Sequence, residues 1–180
     1  DPAAGLLPFQ ARRLAYKLGL SGDTHKQAVR FLMALYKAFT ASDAFCIERH
    51  RDMFLNIINN DVDLLFANAQ EARALTGAPD TETALHKLGD MCAGVALTDG
   101  EQGSILRMNG TTVRVAPHKV KALDTTGAGD SYAAGLLYGL TNGCSLERSG
   151  AIASRFSARG VSMMGPRFSG NIRDEVQGLA

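Results

Sequence analysis

The chain lacks an excess of charge of either sign: Lys and Arg together number 19 against 18 acids, a net charge of +1. It therefore carries no electrostatic footprint for nucleic acid or for an anionic membrane surface. Cysteine is scarce. Cys46, Cys92 and Cys144 are odd in number, widely spaced and part of no Cys-x-x-Cys or Cys/His cluster. That argues against a zinc site and a disulfide framework, and fits reduced thiols in a cytoplasmic protein. No apolar run reaches the roughly 18 residues that a membrane span requires. The start, Asp1-Pro2-Ala3-Ala4, has neither the basic residues nor the apolar stretch of a secretory signal. It also lacks an initiator Met, so a processed chain or a fragment is expected. Repeats, linkers and low-complexity tracts are missing too. What remains is 180 residues at 46% hydrophobic, the size and composition of one α/β domain over residues 1–180.

Pro8 to Tyr36 is patterned as two helical stretches, broken at Gly19–Asp23, with Val29, Leu32, Met33 and Tyr36 at helical spacing in the second. Thereafter strands and helices alternate. Asp63–Ala67 and Gly94–Thr98 read as short buried strands. Gln70–Leu75 reads as a helix ended by Gly77 and Pro79, and Thr81–Met91 as another. Ser104–Met108 and Thr111–Val115 flank Asn109-Gly110, whose tolerance of positive φ predicts a type I′ hairpin. Ser131–Leu140 and Leu146–Arg159 are the last two helices, the second capped by Ser145. The alternation predicts a mostly parallel sheet flanked by helices.

The chemistry concentrates in Asp124-Thr125-Thr126-Gly127-Ala128-Gly129-Asp130-Ser131, which runs into a helix. Small residues let main-chain N–H groups converge, and the helix N-terminus adds about half a positive charge. This is a cradle for a phosphoryl group that gains negative charge during transfer. Asp130, beside it, is a poor phosphate ligand but a good proton acceptor for an attacking hydroxyl.

These residues, extended through Tyr132-Ala133-Ala134-Gly135, closely resemble the C-terminal signature of the ribokinase-like (PfkB) carbohydrate kinase family, adenosine-kinase-like branch. The resemblance implies a three-layer sandwich, ATP as phosphoryl donor and Mg2+. It implies Asp130 as catalytic base and Gly127, Ala128 and Gly129 as the anion hole. Asn68-Ala69-Gln70-Glu71 resembles the family's Asn-x-x-Glu motif, so Asn68 and Glu71 are expected to order metal-bound water near the phosphates. Ala69 departs from the acid more common at its position. Thr98-Asp99-Gly100-Glu101-Gln102-Gly103 resembles the strand-end nucleotide loop, which assigns Thr98, Asp99, Gly100 and Gly103 to ATP. Gly165-Pro166-Arg167 resembles the adenine-side segment, and Asp124 and Thr126 match positions that bind K+ in many members. Residues 42–52 resemble the same branch without a role for their side chains. The acceptor implied is a nucleoside or a sugar, and the family pattern is compatible with a homodimer of the full-length protein.

Other signals lead nowhere. His50-Arg51-Asp52 lacks the Asn that a protein-kinase catalytic loop places five residues later, because Ile57 stands there, and it reads instead as the start of an amphipathic helix. Cys46 and His50 have helical spacing but no oxyanion element beside them. A dinucleotide-binding fingerprint would need a third glycine after Gly127 and Gly129, on the first strand.

The family's N-terminal half, with its Gly-Gly substrate motif and its lid, has no counterpart here; residues 1–37 form a helical region of uncertain alignment. The chain is therefore expected to hold the ATP side and the base without the acceptor pocket, and to be a weak or inactive kinase alone. The alternative is a non-catalytic nucleotide-binding module of the same fold, against which the retained Asp130 argues.

Overall fold

The computed structural model describes residues 37–41 and 43–165. The helical stretches expected over Pro8–Tyr36, and Ser42, Pro166 and Arg167, lie outside the described residues. The elements run β1 (Ala38–Thr40), α1 (Ala44–Asp61), β2 (Leu64–Asn68), α2 (Ala69–Thr76), α3 (Thr81–Gly89), β3 (Gly94–Thr98), a single 3-10 turn (Gly100–Gln102), β4 (Ser104–Met108), β5 (Thr111–Val115), α4 (Ala128–Thr141) and α5 (Leu146–Val161).

One five-stranded sheet has the order β1-β2-β3-β4-β5. The first three strands are parallel, and β4 and β5 turn back as an antiparallel hairpin. Asn109 (φ 48°) and Gly110 (φ 81°) form the expected two-residue turn, with Met108 opposite Thr111.

Side chains of β2 and β3 alternate between two cores, which is why both strands read as unbroken apolar runs. On one face Leu65, Ala67, Val95 and Leu97 pack with Ile47, Ile58, Leu75, Leu85 and Leu88 of α1, α2 and α3. On the other, Leu64, Phe66, Ala96, Leu106 and Met108 meet Tyr132, Leu136 and Leu140 of α4 and Ala153 of α5. Three layers result. Leu97 and Leu136 are wholly buried; truncating either to Ala costs about 2–5 kcal/mol.

The two last helices approach closely because glycine lets them. A Cβ on Gly135 would lie 2.7 Å from Ala153 Cα, and one on Gly139 would lie 2.7 Å from Ser149. The α4 backbone, and the site at its N-terminus, is thereby set against α5.

The sequence reading differs from the structure at the N-terminal end of the described region. β1 was not foreseen, and α1 begins at Ala44, capped by Asp43 (Oδ1 accepts from Phe45 N at 3.0 Å), ahead of His50. His50 itself is non-helical (φ −129°, ψ 29°) and kinks α1, so Cys46 and His50 do not share a regular helical turn.

Candidate functional site

The segment between β5 and α4 is tethered to α5 along its length. Ser154 Oγ accepts from His118 N (2.9 Å) and donates to Ala116 O (3.1 Å). Leu123 N and Asp124 N both donate to Val161 O, at 2.7 and 3.2 Å. Ser157 Oγ donates to Ala128 O at 3.2 Å. Asp124 then organises the turn: Oδ1 accepts from Thr126 N at 2.9 Å and Oδ2 from Gly165 N at 3.0 Å. The bonds from Thr126, and after them the one from Gly165, hold its carboxyl below the usual carboxylate range.

Gly127 is the N-cap of α4 at φ 77°, a conformation that costs other residues about 1–2 kcal/mol. Its carbonyl accepts from Ser131 N at 2.9 Å, and Ala128 N turns to Thr125 O at 3.2 Å. The amides of Gly129 and Asp130 have no main-chain acceptor among the described residues, as is normal for the leading N–H groups of a helix. A Cβ on Gly129 would meet nothing within 4 Å, so this glycine leaves open space in front of those amides rather than relieving a packing contact.

Asp130 is exposed, lies in the first turn of α4 and makes no ion pair among the described residues. It lines a cavity of about 340 Å3 together with Gly127, Ala128, Gly129, Asn68 and Glu71. The Asn-x-x-Glu motif thus faces the α4 N-terminus across one small space. Locally that motif is a capping box: Asn68 Oδ1 accepts from Glu71 N and Glu71 Oε2 from Asn68 N, each at 2.8 Å. Asn68 thus caps α2 and at the same time stands on the cavity wall. Glu71 is 7% exposed, and its second oxygen has no protein partner among the described residues.

A larger cavity of about 710 Å3 adjoins the first; Thr98, Thr125, Ala128, Gly129 and Tyr132 line both. Gly100, Gly103 and Thr98 of the strand-end loop bound it on one side. Gly100 (φ 52°) and Gly103 (φ 89°) both take left-handed backbone, and a Cβ on Gly103 would strike the carbonyl of Val115. Asp99, Asp124, Thr126 and Gly165 line neither cavity. Asp99 instead closes the loop, its N–H donating to Gly103 O at 2.8 Å.

Sequence reasoning missed several lining residues: Ser104, Tyr132, Ser154, Ser157 and the 117–120 segment with Lys119. For Tyr132 there was a signal, a polar-tipped aromatic on the apolar face of α4 two residues after Asp130. Ser154 and Ser157 gave none, since their role comes from the packing of α5.

Residues 24–172 match the family described as pfkB family carbohydrate kinase. The adenosine kinase from Sinorhizobium meliloti superposes with a TM-score of 0.77 at 36% identity, over 86% of this chain and 49% of that one. A probable sugar kinase from Rhizobium etli CFN 42 gives 0.77 at 30% identity, over 92% and 53% of the two chains. This chain thus spans about half the length of the solved kinases it matches. Among curated proteins, 48 residues are 56% identical to the beta subunit of an ADP-forming succinate–CoA ligase from Christiangramia forsetii, which is 27% of this chain and 12% of that subunit. The corresponding subunit from Salinibacter ruber is 37% identical over 83 residues, 21% of its length. Matches that short leave the fold described above to the kinases, whose match covers most of the chain. It belongs to the pfkB family of carbohydrate kinases.

Proposed function

We propose that this chain is the nucleotide-binding half of an ATP-dependent kinase that phosphorylates a hydroxyl of a nucleoside or sugar. The observation that carries the reading is the position of Asp130: exposed, unpaired among the described residues, and beside the leading amides of α4 on a cavity it shares with Asn68 and Glu71. A general base must be accessible to the proton it takes, and an anion site must present donors that no protein group has claimed. Both conditions hold at one helix end.

In this reading ATP lies in the larger cavity, against Thr98, Gly100 and Gly103, with its terminal phosphate at the amides of Gly129 and Asp130. The acceptor hydroxyl approaches Asp130, which takes its proton as the phosphoryl group transfers. The N-terminus of α4 stabilises charge on the transferring oxygens.

Among the described residues no three His, Cys, Asp or Glu side chains are grouped to cage a metal. That suits Mg2+, which commonly binds through one or two carboxylates plus substrate phosphates. Buried Glu71 has an oxygen without a protein partner among the described residues, and Glu71 and Asn68 are the residues that would hold the ion's water. When bound, Mg2+ would neutralise phosphate charge. Asp124 and Thr126 are the residues that would hold K+: each Asp124 carboxylate oxygen accepts one main-chain N–H and keeps a lone pair for a cation.

Adenosine is the favoured acceptor class, because the S. meliloti adenosine kinase is 36% identical to this chain. Alone, the chain is expected to turn over slowly, since acceptor alignment contributes many orders of magnitude to rate and the solved kinases are about twice as long. The test is transfer from γ-labelled ATP to a panel of nucleosides and sugars, by the chain alone and joined to an N-terminal portion. Robust turnover by the chain alone refutes the half-site reading, and no turnover in either form refutes the kinase reading.

A further inference from the structure

Tyr132 is 3% exposed and Ser104 4%, and their hydroxyls meet at 2.6 Å. The two groups come from opposite sides of the site. Tyr132 is two residues after Asp130 on α4. Ser104 opens β4 directly after Gly103, and in the sheet it lies opposite Thr98. Both line the larger cavity, and Tyr132 also lines the smaller one. The bond is therefore a direct side-chain link between the helix whose leading amides have no main-chain acceptor among the described residues and the end of the loop that bounds the larger cavity.

Packing alone does not call for the hydroxyls. Tyr132 sits among Leu64, Phe66, Ala96 and Leu136, where Phe would bury as well. A buried hydroxyl without a partner is costly, so each hydroxyl here is useful only with the other. Burial pushes the Tyr132 phenol up to about 12, with the Ser104 bond a smaller, opposing influence. The phenol is thus neutral at any ordinary pH, and either hydroxyl can donate in the bond.

We propose that the Tyr132–Ser104 hydrogen bond is a positioning link that fixes the spacing between the α4 amides and the 99–103 loop, and so sets affinity for ligands that span both cavities. The inference rests on the ATP-binding reading given above. A ligand bridging the two cavities, as ATP does in that reading, feels the spacing directly. AMP, whose single phosphate stops short of the α4 amides in that reading, feels it little. General loosening of the fold would weaken both.

The experiment is calorimetric titration of ATP and AMP into the chain as wild type, Tyr132→Phe, Ser104→Ala and the double variant, with thermal unfolding of each. Each single variant is expected to lose about three- to tenfold in ATP affinity, the size of one net hydrogen bond, with AMP affinity within about twofold. The double variant should be no worse than the weaker single. Ser104→Thr, which keeps the hydroxyl, should restore ATP affinity. Equal losses for ATP and AMP, or lower melting temperatures with unchanged ATP affinity, overturn the inference while leaving the ATP site standing. A wild-type chain that binds neither nucleotide overturns the ATP site, and the inference with it.

Discussion

One carboxylate joins two ends of the site: Asp124 Oδ2 accepts from Gly165 N at 3.0 Å, while its Oδ1 accepts from Thr126 N at 2.9 Å. The turn that leads into α4 and the chain leaving α5 are thereby held by a residue that lines neither cavity. Asp124→Asn replaces one acceptor oxygen with an N–H donor facing a main-chain N–H, so it should lower the melting temperature and weaken ATP binding together. The folded-state pKa of Asp124 is depressed. Its contribution to stability is therefore present above the unfolded pKa of about 3.9 and is lost as pH falls below that value. A thermal-unfolding series from pH 6 down to pH 2 should show wild type and Asp124→Asn converging at the acid end. A gap independent of pH would contradict this role.

Gly129 and Gly135 share α4 and differ in what a methyl group would meet. At Gly129 it meets nothing within 4 Å; at Gly135 it lies 2.7 Å from Ala153 Cα. Gly129→Ala should hold or raise stability, by up to about 1 kcal/mol from helix propensity, while lowering ATP affinity because the methyl enters the space before the amides. Gly135→Ala should instead destabilise by about 1–3 kcal/mol through overpacking, despite the same gain in propensity. Denaturant melts and ATP titrations of both variants separate the two glycines. Equal behaviour of the pair would refute the assignment.

Asn68 caps α2 and also lines the smaller cavity, and one substitution pair can separate the two. Asn68→Ser keeps a capping oxygen and should stay within about 0.5 kcal/mol of wild type, whereas Asn68→Ala should lose about 1 kcal/mol. If the amide group also serves the site, Asn68→Ser lowers Mg2+-dependent ATP affinity without a matching loss of stability. Full retention of that affinity would confine Asn68 to capping α2.

At alkaline pH two acids, half-buried Cys92 and buried Tyr132, should govern stability. Burial raises Cys92 to about 11, from an ordinary 9.0, and Tyr132 to about 12, from an ordinary 10.0. Each binds its proton more tightly folded than unfolded. Their stabilisation is whole below pH 9 and lost between about pH 9 and pH 12, with a slope of at most about 1.4 kcal/mol per pH unit for each. Cys92→Ala should remove the lower part of that slope and Tyr132→Phe the upper part. Unchanged slopes would contradict the burial argument.

Much of this was legible in the residues, and the misses share a cause. β3, β4 and β5 and their Asn-Gly turn could be bounded from pattern alone, because apolar runs and positive-φ residues act locally. The motifs at 68–71 and 124–130 were likewise contiguous. β1 was invisible because Ala38–Thr40 is three residues at the edge of the sheet, stabilised by pairing with β2 rather than by its own pattern. The helical start at Ala44 was hidden by the mixed polarity of Glu48–Asp52. Tyr132 and Ser104 are 28 residues apart, so their bond exists only once α4 is laid on the sheet. The main-chain hydrogen bonds made by Ala128, Asp99 and Asp124 are likewise ones that no motif reports.

The most direct measurement is the initial rate of phosphoryl transfer from γ-labelled ATP to adenosine, wild type against Asp130→Asn, in whichever form of the protein turns over, with ATP affinity measured beside it. Loss of a general base should lower the rate by about 10²–10⁴-fold and leave ATP affinity within about twofold, because the exposed carboxylate is not a phosphate ligand. An Asp130→Asn protein that transfers phosphate within a few-fold of wild type would contradict the assignment of the base, and with it the chemistry placed at the head of α4.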